Sequence, residues 1–144
     1  MKIMLRKMNI DDAAQVNLLS FQLGYKLTKE ETKKQIQEVI ANPDHIAFVA
    51  TIDNNVAGWI HAFTSLHIES KPFTEIGGLV VDKQHHKKGI AKQLIDKIIL
   101  WSKENKINTV RVRTNVIRKE THDFYRHLQF KEMKEQKIFE LTAE

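Results

Sequence analysis

The sequence predicts an α/β fold in which helices cover both faces of a mixed central sheet. Apolar extended segments alternate with segments of helical periodicity along the chain, which is the pattern of layered α/β domains. The segment 74–81 is apolar on both faces after Glu75, as strands in the middle of a sheet are. A chain of 144 residues with 42% hydrophobic and 28% charged residues fits one globular domain, 1–144.

The first half of the chain is predicted to contain two helices and three strands. Asn9 and Asp12 resemble a capped helix start, and Thr28 and Glu31 have the spacing of a capping box. Asn54-Asn55 is predicted as the tight turn of a hairpin. In order, the predicted elements are strand 2–8, helix 11–23, helix 29–41, strand 45–53 and strand 56–63.

The second half is predicted to alternate strands and helices. Apolar residues recur at helical spacing between Ile90 and Trp101, with charged residues outside. Residues 109–116 alternate strictly between apolar and polar side chains, as a half-buried strand does. In order, the predicted elements are strand 74–81, helix 89–103, strand 109–116, helix 121–128 and a closing strand 131–142.

Composition excludes several classes of protein. The chain has no cysteine, so it holds neither a disulfide framework nor a thiolate metal site. It has no HExxH motif, and His122 and His127 are five residues apart, off a common helical face, so no metal site is predicted. No apolar run approaches the ~20 residues of a membrane span and no signal peptide precedes the first strand, which predicts a cytoplasmic protein without a membrane partner.

The charge of the chain points to an anionic partner. The formal net charge is +5, and a basic run (His85–Lys92, HHKKGIAK) joins the apolar strand to the amphipathic helix. A strand that enters a helix through a glycine leaves backbone N–H groups directed at one point, where they bind anions such as phosphate. Gly89 permits positive φ and Ala91 keeps the helix start uncluttered. A P-loop and a Rossmann turn are both excluded because neither GxxxxGK[ST] nor GxGxxG is present.

These residues resemble the motifs of the GNAT superfamily of N-acetyltransferases. The family's Arg/Gln-x-x-Gly-x-Gly/Ala pattern falls on His86–Ala91, and Arg118–Phe130 resembles its second signature, a His-x-Phe-Tyr-type helix followed by Gly-Phe. The similarity is strongest to the branch that resembles aminoglycoside 6′-N-acetyltransferases. The sequence departs from the family at His86, where Arg or Gln is usual, and at Gln129, where Gly is usual.

The resemblance implies a GNAT (acyl-CoA N-acyltransferase) fold and an enzyme that uses acetyl-CoA to acetylate a primary amine. Glu75, 14 residues before Gly89, is then expected to remove the proton of the amine. Tyr125 is expected to protonate the leaving sulfur of the coenzyme. The simpler interpretations are a carboxylate at the end of a strand and a half-buried core tyrosine.

The resemblance also implies a set of binding residues. Backbone groups of the central strand are expected to bind the pantetheine arm, and a side-chain amide and cations from the chain's last third to contact the other side of the coenzyme. The expected coenzyme residues are Leu79, Val80, Val81, His86, Lys87, Lys88, Gly89, Ile90, Ala91, Lys92, Asn115, Arg118 and His122. His122 is also the alternative base. The expected acceptor residues are Phe21, Gln22, Tyr25 and Trp59.

Three alternatives remain at this stage. The acceptor is either a small molecule, which is preferred, or a protein N-terminus or lysine. A GNAT-fold sensor would bind acyl-CoA without turnover, but retention of Glu75 and Tyr125 disfavours it. A nucleic-acid-binding module is disfavoured because no aromatic stacking platform is present and the lysines cluster at one helix start. A homodimer is compatible with the sequence.

Overall fold

The computed structural model describes residues 2–114 and 118–143. The chain forms two compact units, Met1–Val112 and Arg113–Glu144. The first unit contains β1 (Ile3–Lys7), α1 (Ala13–Phe21), α2 (Lys29–Ala41), β2 (His45–Ile52), β3 (Asn55–Ser65), β4 (Phe73–Val81), α3 (Ile90–Glu104) and β5 (Val110–Val112). The second unit contains α4 (Lys119–His127).

The five strands of the first unit form a mixed sheet in the order β1-β2-β3-β4-β5. The pairs β1–β2, β2–β3 and β3–β4 are antiparallel, whereas β4 and β5 are parallel. Consecutive strands are therefore neighbours, and only the passage from β4 to β5 requires a crossover, which α3 supplies. The predicted interior position of the 74–81 strand is confirmed, because β4 lies between β3 and β5.

Helices cover both faces of the sheet, as predicted. On one face, buried residues of α1 and α2 share a core with alternate residues of β2, among them Val16, Ile36 and Val49. On the other face, a Cβ atom added at Gly58 would lie 3.1 Å from Cγ2 of Ile90, the first residue of α3. The apolar face of α3 is correspondingly buried, which confirms the helical spacing seen in its sequence.

Both predicted helix starts are confirmed. The Asn9 side chain accepts a hydrogen bond from the N–H of Asp11, and Asp12 Oδ2 accepts one from the N–H of Asn9 at 2.8 Å. Thr28 Oγ1 and Glu31 exchange the two bonds of a capping box at 3.1 and 2.9 Å. A cap satisfies backbone N–H groups that the first turn of a helix leaves without carbonyl partners, which is why these residues mark the ends so reliably.

The hairpin turn lies one residue earlier than predicted. Ile52 pairs with Asn55, so the two loop residues are Asp53 and Asn54, with φ of 52° and 66°. Positive φ at both central positions gives the twist that a two-residue hairpin needs, and Asp and Asn tolerate it better than most residues do.

The predicted closing strand at 131–142 is wrong. Residues 130–143 form neither a helix nor a strand, and α4 is the one helix among the described residues of the second unit. The apolar residues that suggested a strand, including Met133, Ile138 and Phe139, are exposed. A strand is stable only when its backbone pairs with a neighbour, and the adjacent pair Ile138-Phe139 also breaks the two-residue alternation of a half-buried strand.

The end of α4 accommodates Gln129 without a glycine. Gln129 has φ of 74°, and the N–H of Phe130 donates to the carbonyl of Tyr125 at 3.0 Å. A left-handed residue just after the helix, together with a backbone hydrogen bond back to the last turn, is a common helix end, and glycine usually occupies the left-handed position. The departure from the family pattern therefore leaves the turn intact, at the cost of a strained backbone conformation at Gln129.

No helix among the described residues is long and apolar enough to cross a membrane.

Candidate active site

The turn between β4 and α3 is held by its own backbone and by Asp82. The Asp82 side chain accepts a hydrogen bond from the N–H of Gln84 at 3.0 Å, and its carbonyl accepts one from His85 at 2.9 Å. Lys87 then takes positive φ (65°) and Gly89 follows with φ of 79°. Two left-handed residues so close together redirect the chain sharply into α3.

The N-terminus of α3 has the features of an anion site. Gly89 is the residue before the helix, it offers no side-chain cap, and its carbonyl accepts the first helical bond, from Gln93 at 3.0 Å. The N–H groups of the first turn therefore have no partner within the helix, and the helix dipole adds positive potential. A Cβ atom at Gly89 would meet nothing nearer than Gln93 Nε2 at 4.0 Å, so the space in front of these amides is open.

The basic side chains around this turn differ in what they contact. His86 Nε2 lies 3.1 Å from the carbonyl oxygen of Val81, so the ring is directed back to the end of β4. Lys92 forms an exposed ion pair with Asp96 at 2.9 Å, one helical turn on. Lys88 Nζ lies 3.4 Å from His85 Nδ1. The charge of Lys92 is thus paired with that of Asp96, and the basic residues of the turn stay the predicted partners of an anion.

Strand β4 has an open edge beside this turn. Among the described residues of the first unit, β5 pairs with Thr74–Ile76 and β3 pairs with β4 up to Val81, so no strand of this unit pairs with Leu79–Val81 on the β5 side. The N–H of Asp82 donates to the carbonyl of Ala57 on β3. In an antiparallel pair, successive residues direct their backbone groups alternately toward and away from the partner strand. The backbone of Val80 is therefore directed toward β3, and that of Leu79 and Val81 toward the open edge. Of the three residues expected to offer backbone groups, Val80 is therefore engaged in the sheet, and its side chain is buried core.

A bulge interrupts β4 next to that open edge. His61 of β3 pairs with Gly78 and Ala62 pairs with Ile76, so Gly77 is an extra residue with no partner on β3. A bulge of this kind leaves backbone groups unpaired and bends the strand. The sequence signal for the bulge is Gly77-Gly78 within an otherwise apolar strand, which was not among the predicted features.

Glu75 lies on β4, two residues before the bulge. It is half-buried, and its neighbours in register are Phe63 on β3 and Arg111 on β5. The Arg111 guanidinium lies over the ring of Phe73, 4.1 Å from its centroid. The carboxylate therefore lies on a sheet surface that contains a cation, aromatic rings and the bend of the strand.

The expected acceptor residues gather around the end of α1. Trp59 Nε1 donates to Ser20 Oγ at 3.1 Å, which fixes the indole against α1. Phe21 and Tyr25 are exposed, as is Gln22 between them. A Cβ atom at Gly78 would lie 2.8 Å from the Trp59 ring, so the indole also lies against the bulge.

The second unit holds the expected proton donor. Tyr125 on α4 is 9% exposed, and its ring makes edge-on contacts with Phe124 and Phe130. Burial raises the pKa of Tyr125, and the charge of Arg118 opposes that effect. The phenol is consequently protonated at neutral pH and able to donate. Arg118 and His122 lie in the same unit.

One predicted coenzyme residue has no structural description. Asn115 lies outside the described residues, in the gap between 114 and 118. The other expected residues fall into two sets. The acceptor residues, Glu75, Leu79–Val81 and His86–Lys92 lie in the first unit, and Arg118, His122 and Tyr125 lie in the second.

Two histidines that are not among the predicted site residues lie beside the bulge. His45 of β2 and His61 of β3 are 2.9 Å apart between Nδ1 and Nε2, and Phe63 packs against both rings. Their contact depends on strand register, since they are 16 residues apart, and a single sequence does not reveal it.

The chain resembles known proteins in sequence family and in fold. Residues 13–130, most of the chain, match the acetyltransferase (GNAT) family. The fold is that of AAC(6′)-IG, an aminoglycoside antibiotic 6′-N-acetyltransferase from Acinetobacter haemolyticus, at a TM-score of 0.85 with 16% identity over 100% of both chains. AAC(6′)-Iy, solved with a bisubstrate analog of CoA and acetylneamine, matches at a TM-score of 0.88 with 18% identity over 99% of this chain and 100% of that one.

A third structure is an aminoglycoside acetyltransferase from an uncultured soil metagenomic sample, with a TM-score of 0.81, 21% identity and 99% and 97% of the two chains covered. At identities of 16–21%, these structures show that the chain shares its fold with aminoglycoside N-acetyltransferases. The family match supports acetyl-CoA as the co-substrate. The chain therefore belongs to the acetyltransferase (GNAT) family, as an N-acetyltransferase that uses acetyl-CoA.

Proposed function

We propose that the protein transfers the acetyl group of acetyl-CoA to a primary amine of a small molecule, and that the amine attacks the thioester directly. The observation that carries this proposal is the geometry of β4. Its open edge at Leu79 and Val81 adjoins the anion site at Gly89, and Glu75 lies two residues before the bulge in the same strand. Acetyl-CoA supplies an activated acyl group when it is bound in this way.

Residues of this chain handle the protons in the proposed reaction. Glu75 takes a proton from the acceptor's ammonium group, directly or through a water, which frees the nitrogen lone pair to attack. As the new C–N bond forms and the C–S bond breaks, the phenol of Tyr125 donates its proton to the leaving sulfur. The nitrogen loses its second proton as the amide forms, and that proton restores the phenol through solvent. The proton on Glu75 returns to solvent. The chain has no cysteine, so a thioester-linked acyl-enzyme has no place in this scheme.

The anion site positions the co-substrate. The N–H groups of the first turn of α3 and the surrounding lysines bind the pyrophosphate, and the backbone of Leu79 and Val81 binds the pantetheine arm as an added strand would. The exposed rings of Phe21 and Tyr25, together with Trp59, form the proposed acceptor side. A cytoplasmic location and a homodimer stay predictions of the sequence.

Release of free CoA tests the proposal. Acetyl-CoA is incubated with the protein and one of four amines: kanamycin, spermidine, tyramine or an alanine-led peptide. We expect release above the amine-free rate with at least one small amine, and less with the Gly89→Glu protein. Acceleration by the peptide alone would favour the protein acetyltransferase. No acceleration by any of the four, from a protein that acetyl-CoA still stabilises, would contradict the proposal and favour a sensor.

A further inference from the structure

The bend of β4 forms a gap that aromatic side chains of β3 fill. A Cβ atom at Gly77 would lie 3.0 Å from Nδ1 of His61 and 3.1 Å from Cε1 of Phe63. At Gly78 it would lie 2.8 Å from the Trp59 ring. The two glycines thus let three rings lie directly on the backbone of the strand that carries Glu75, in the space that side chains on β4 would otherwise take.

His61 is held in this position through one of its two nitrogens. Its Nε2 is 2.9 Å from His45 Nδ1, and the two rings are nearly parallel, with an angle of 11° between their planes. Nδ1, in contrast, makes no hydrogen bond with any described residue, and it faces Gly77, which is exposed. The nitrogen that the His45 contact leaves unused is thus directed at an exposed part of β4.

The charge state of His61 suits it for contact with an amine. Burial, and to a smaller extent the charge of His45, lowers the pKa of His61 to about 4. The imidazole is therefore neutral at physiological pH and carries one N–H and one lone pair. When Nε2–H donates to His45 Nδ1, the lone pair lies on Nδ1, which lies against the backbone of Gly77. Glu75 lies opposite Phe63 in the register of β3 and β4, and Lys7 lines a cavity of about 300 Å³ together with His45.

We infer that His61 is an acceptor-binding residue: its Nδ1 accepts a hydrogen bond from the N–H of the acceptor amine above Gly77, and His45 is the positioning residue that fixes its tautomer. This inference rests on the proposed function, because it concerns the acceptor of the same reaction. The hydrogen bond orients the nitrogen next to Glu75, which lies two residues before Gly77. His61 gains no proton in this role, so Glu75 keeps the part of the base.

Variants at position 61 separate binding from packing. His61→Phe keeps an aromatic ring against Phe63 but has no nitrogen, whereas the side-chain oxygen of His61→Asn can take the place of Nδ1. With the best amine of the four named above, we expect His61→Phe to lower kcat/KM for the amine roughly 10- to 100-fold, the loss of a hydrogen bond to a charged group. The KM for acetyl-CoA and the Tm should change little, and His61→Asn should recover most of the loss.

The matched control is His45→Phe, which keeps the stacking but removes the partner of Nε2. It should lower kcat/KM for the amine by less than His61→Phe does, because Nδ1 is still present but its tautomer is no longer fixed. A two-bond ¹H–¹⁵N spectrum of the imidazoles tests the tautomer directly. The wild-type protein should show an unprotonated Nδ1 on His61 between pH 6 and 8, and His45→Phe should show a mixture of tautomers.

The outcomes distinguish this inference from the proposed function. A wild-type protein that acetylates an amine, with His61→Phe equally active, would overturn the role of His61 and leave the proposed function standing. A wild-type protein that releases no CoA with any amine would contradict the proposed function. The ¹H–¹⁵N spectrum of the imidazoles then tests the role of His61 without turnover. A protonated Nδ1, or an Nδ1 signal that kanamycin, spermidine and tyramine leave unmoved in the presence of CoA, would overturn the inference.

Discussion

His86 Nε2 lies 3.1 Å from the carbonyl oxygen of Val81, so a side chain of the β4–α3 turn is bonded to the last residue of β4. A carbonyl only accepts, so Nε2 carries the hydrogen in this bond. The bond joins the open edge of β4 to the start of the turn before α3, the two parts of the surface on which we propose that acetyl-CoA binds. His86 is therefore expected to shape the site as well as to add charge to it.

His86→Ala should weaken acetyl-CoA binding without stopping catalysis. Loss of a neutral hydrogen bond of ~1 kcal/mol corresponds to about a fivefold rise in the KM for acetyl-CoA, and kcat should stay within about twofold. Steady-state kinetics with acetyl-CoA varied will measure this. His86→Gln is the matched control, because its amide nitrogen can reach the same carbonyl. A KM that is unchanged in His86→Ala would show that the Val81 contact does not support the site.

Gly89→Glu should abolish stabilisation of the protein by acetyl-CoA. At a hundredfold excess of ligand over Kd, binding adds ~2.7 kcal/mol to the free energy of unfolding, which raises the Tm of a domain of this size by roughly 5–10 °C. The variant places a negative side chain in the open space before the first turn of α3. NAD and ATP should shift the Tm of the wild-type protein far less.

Gly89→Ala is the control for the backbone. The added methyl group has room, with its nearest neighbour at 4.0 Å, but alanine resists φ of 79°. Its Tm should therefore fall without ligand, while acetyl-CoA should still raise it. Equal stabilisation of Gly89→Glu and the wild-type protein by acetyl-CoA would contradict the assignment of this turn to the pyrophosphate.

Local features of the fold follow from the sequence because they are set by residues close together in the chain. Asn9 with Asp12, and Thr28 with Glu31, mark helix starts through bonds that span three residues or fewer. The turn at Gly89 is equally local. Features that depend on strand register were not predicted, among them the bulge at Gly77 and the contact between His45 and His61.

The wrong closing strand has a related cause. An alternating segment predicts a strand only when a partner strand is available, and the sequence of 131–142 does not say whether one is. The division of backbone roles within Leu79–Val81 was missed for the same reason, because it depends on which residues β3 bonds. Motif residues could thus be located from the sequence, but the direction in which their polar groups point could not.

Asp12→Asn should destabilise the protein and flatten its acid unfolding. Asp12 is 5% exposed and bonds Arg6 through both oxygens, at 2.7 and 2.8 Å. Burial acts to raise the pKa of Asp12, but the hydrogen bonds from Arg6 and Asn9 and the charge of Arg6 outweigh it, so the pKa is lowered. Since Arg6 is partly exposed, we expect Asp12→Asn to lower the free energy of unfolding by ~2 kcal/mol, less than the loss of one partner of a fully buried pair would.

The sign of the pH dependence follows from that lowered pKa. The stabilisation by Asp12 is present above its unfolded pKa, about 3.9, and is lost as pH falls through the lower folded value. Urea unfolding between pH 2 and 7 should show a steeper acid loss for the wild-type protein than for Asp12→Asn. Asp11→Asn, at an exposed neighbour in the same turn, should leave both stability and slope nearly unchanged. Parallel acid limbs for wild type and Asp12→Asn would contradict this account.

Glu75→Gln should lower turnover most at neutral pH. The amide keeps the shape of the side chain but cannot accept a proton, and general-base catalysis typically contributes ~10²–10⁴-fold in rate. Part of the loss should return at high pH, where more of the amine is already neutral. A pH–rate profile of kcat for the best amine will measure this, with the KM for acetyl-CoA as the control for folding of the site. Full activity of Glu75→Gln at pH 7 would place the base elsewhere, with His122 the next candidate.

Tyr125→Phe should lower kcat without weakening acetyl-CoA binding, since the hydroxyl matters mainly once charge develops on sulfur. Burial raises the pKa of Tyr125, so the phenol stays protonated across the neutral range and its loss should lower kcat about equally from pH 6 to 9. This flat loss distinguishes the donor from Glu75, whose replacement is partly compensated at high pH.

The raised pKa of Tyr125 also has a consequence for stability. The folded protein holds the phenolic proton more tightly than the unfolded chain, so stability falls as pH rises above about 10, and Tyr125→Phe should remove that alkaline loss. Stopped-flow or steady-state kinetics and urea unfolding at pH 9 to 11 measure the two effects separately. A Tyr125→Phe protein that no longer binds acetyl-CoA would show a binding role instead, and one with unchanged kcat would leave the leaving sulfur to take its proton from water.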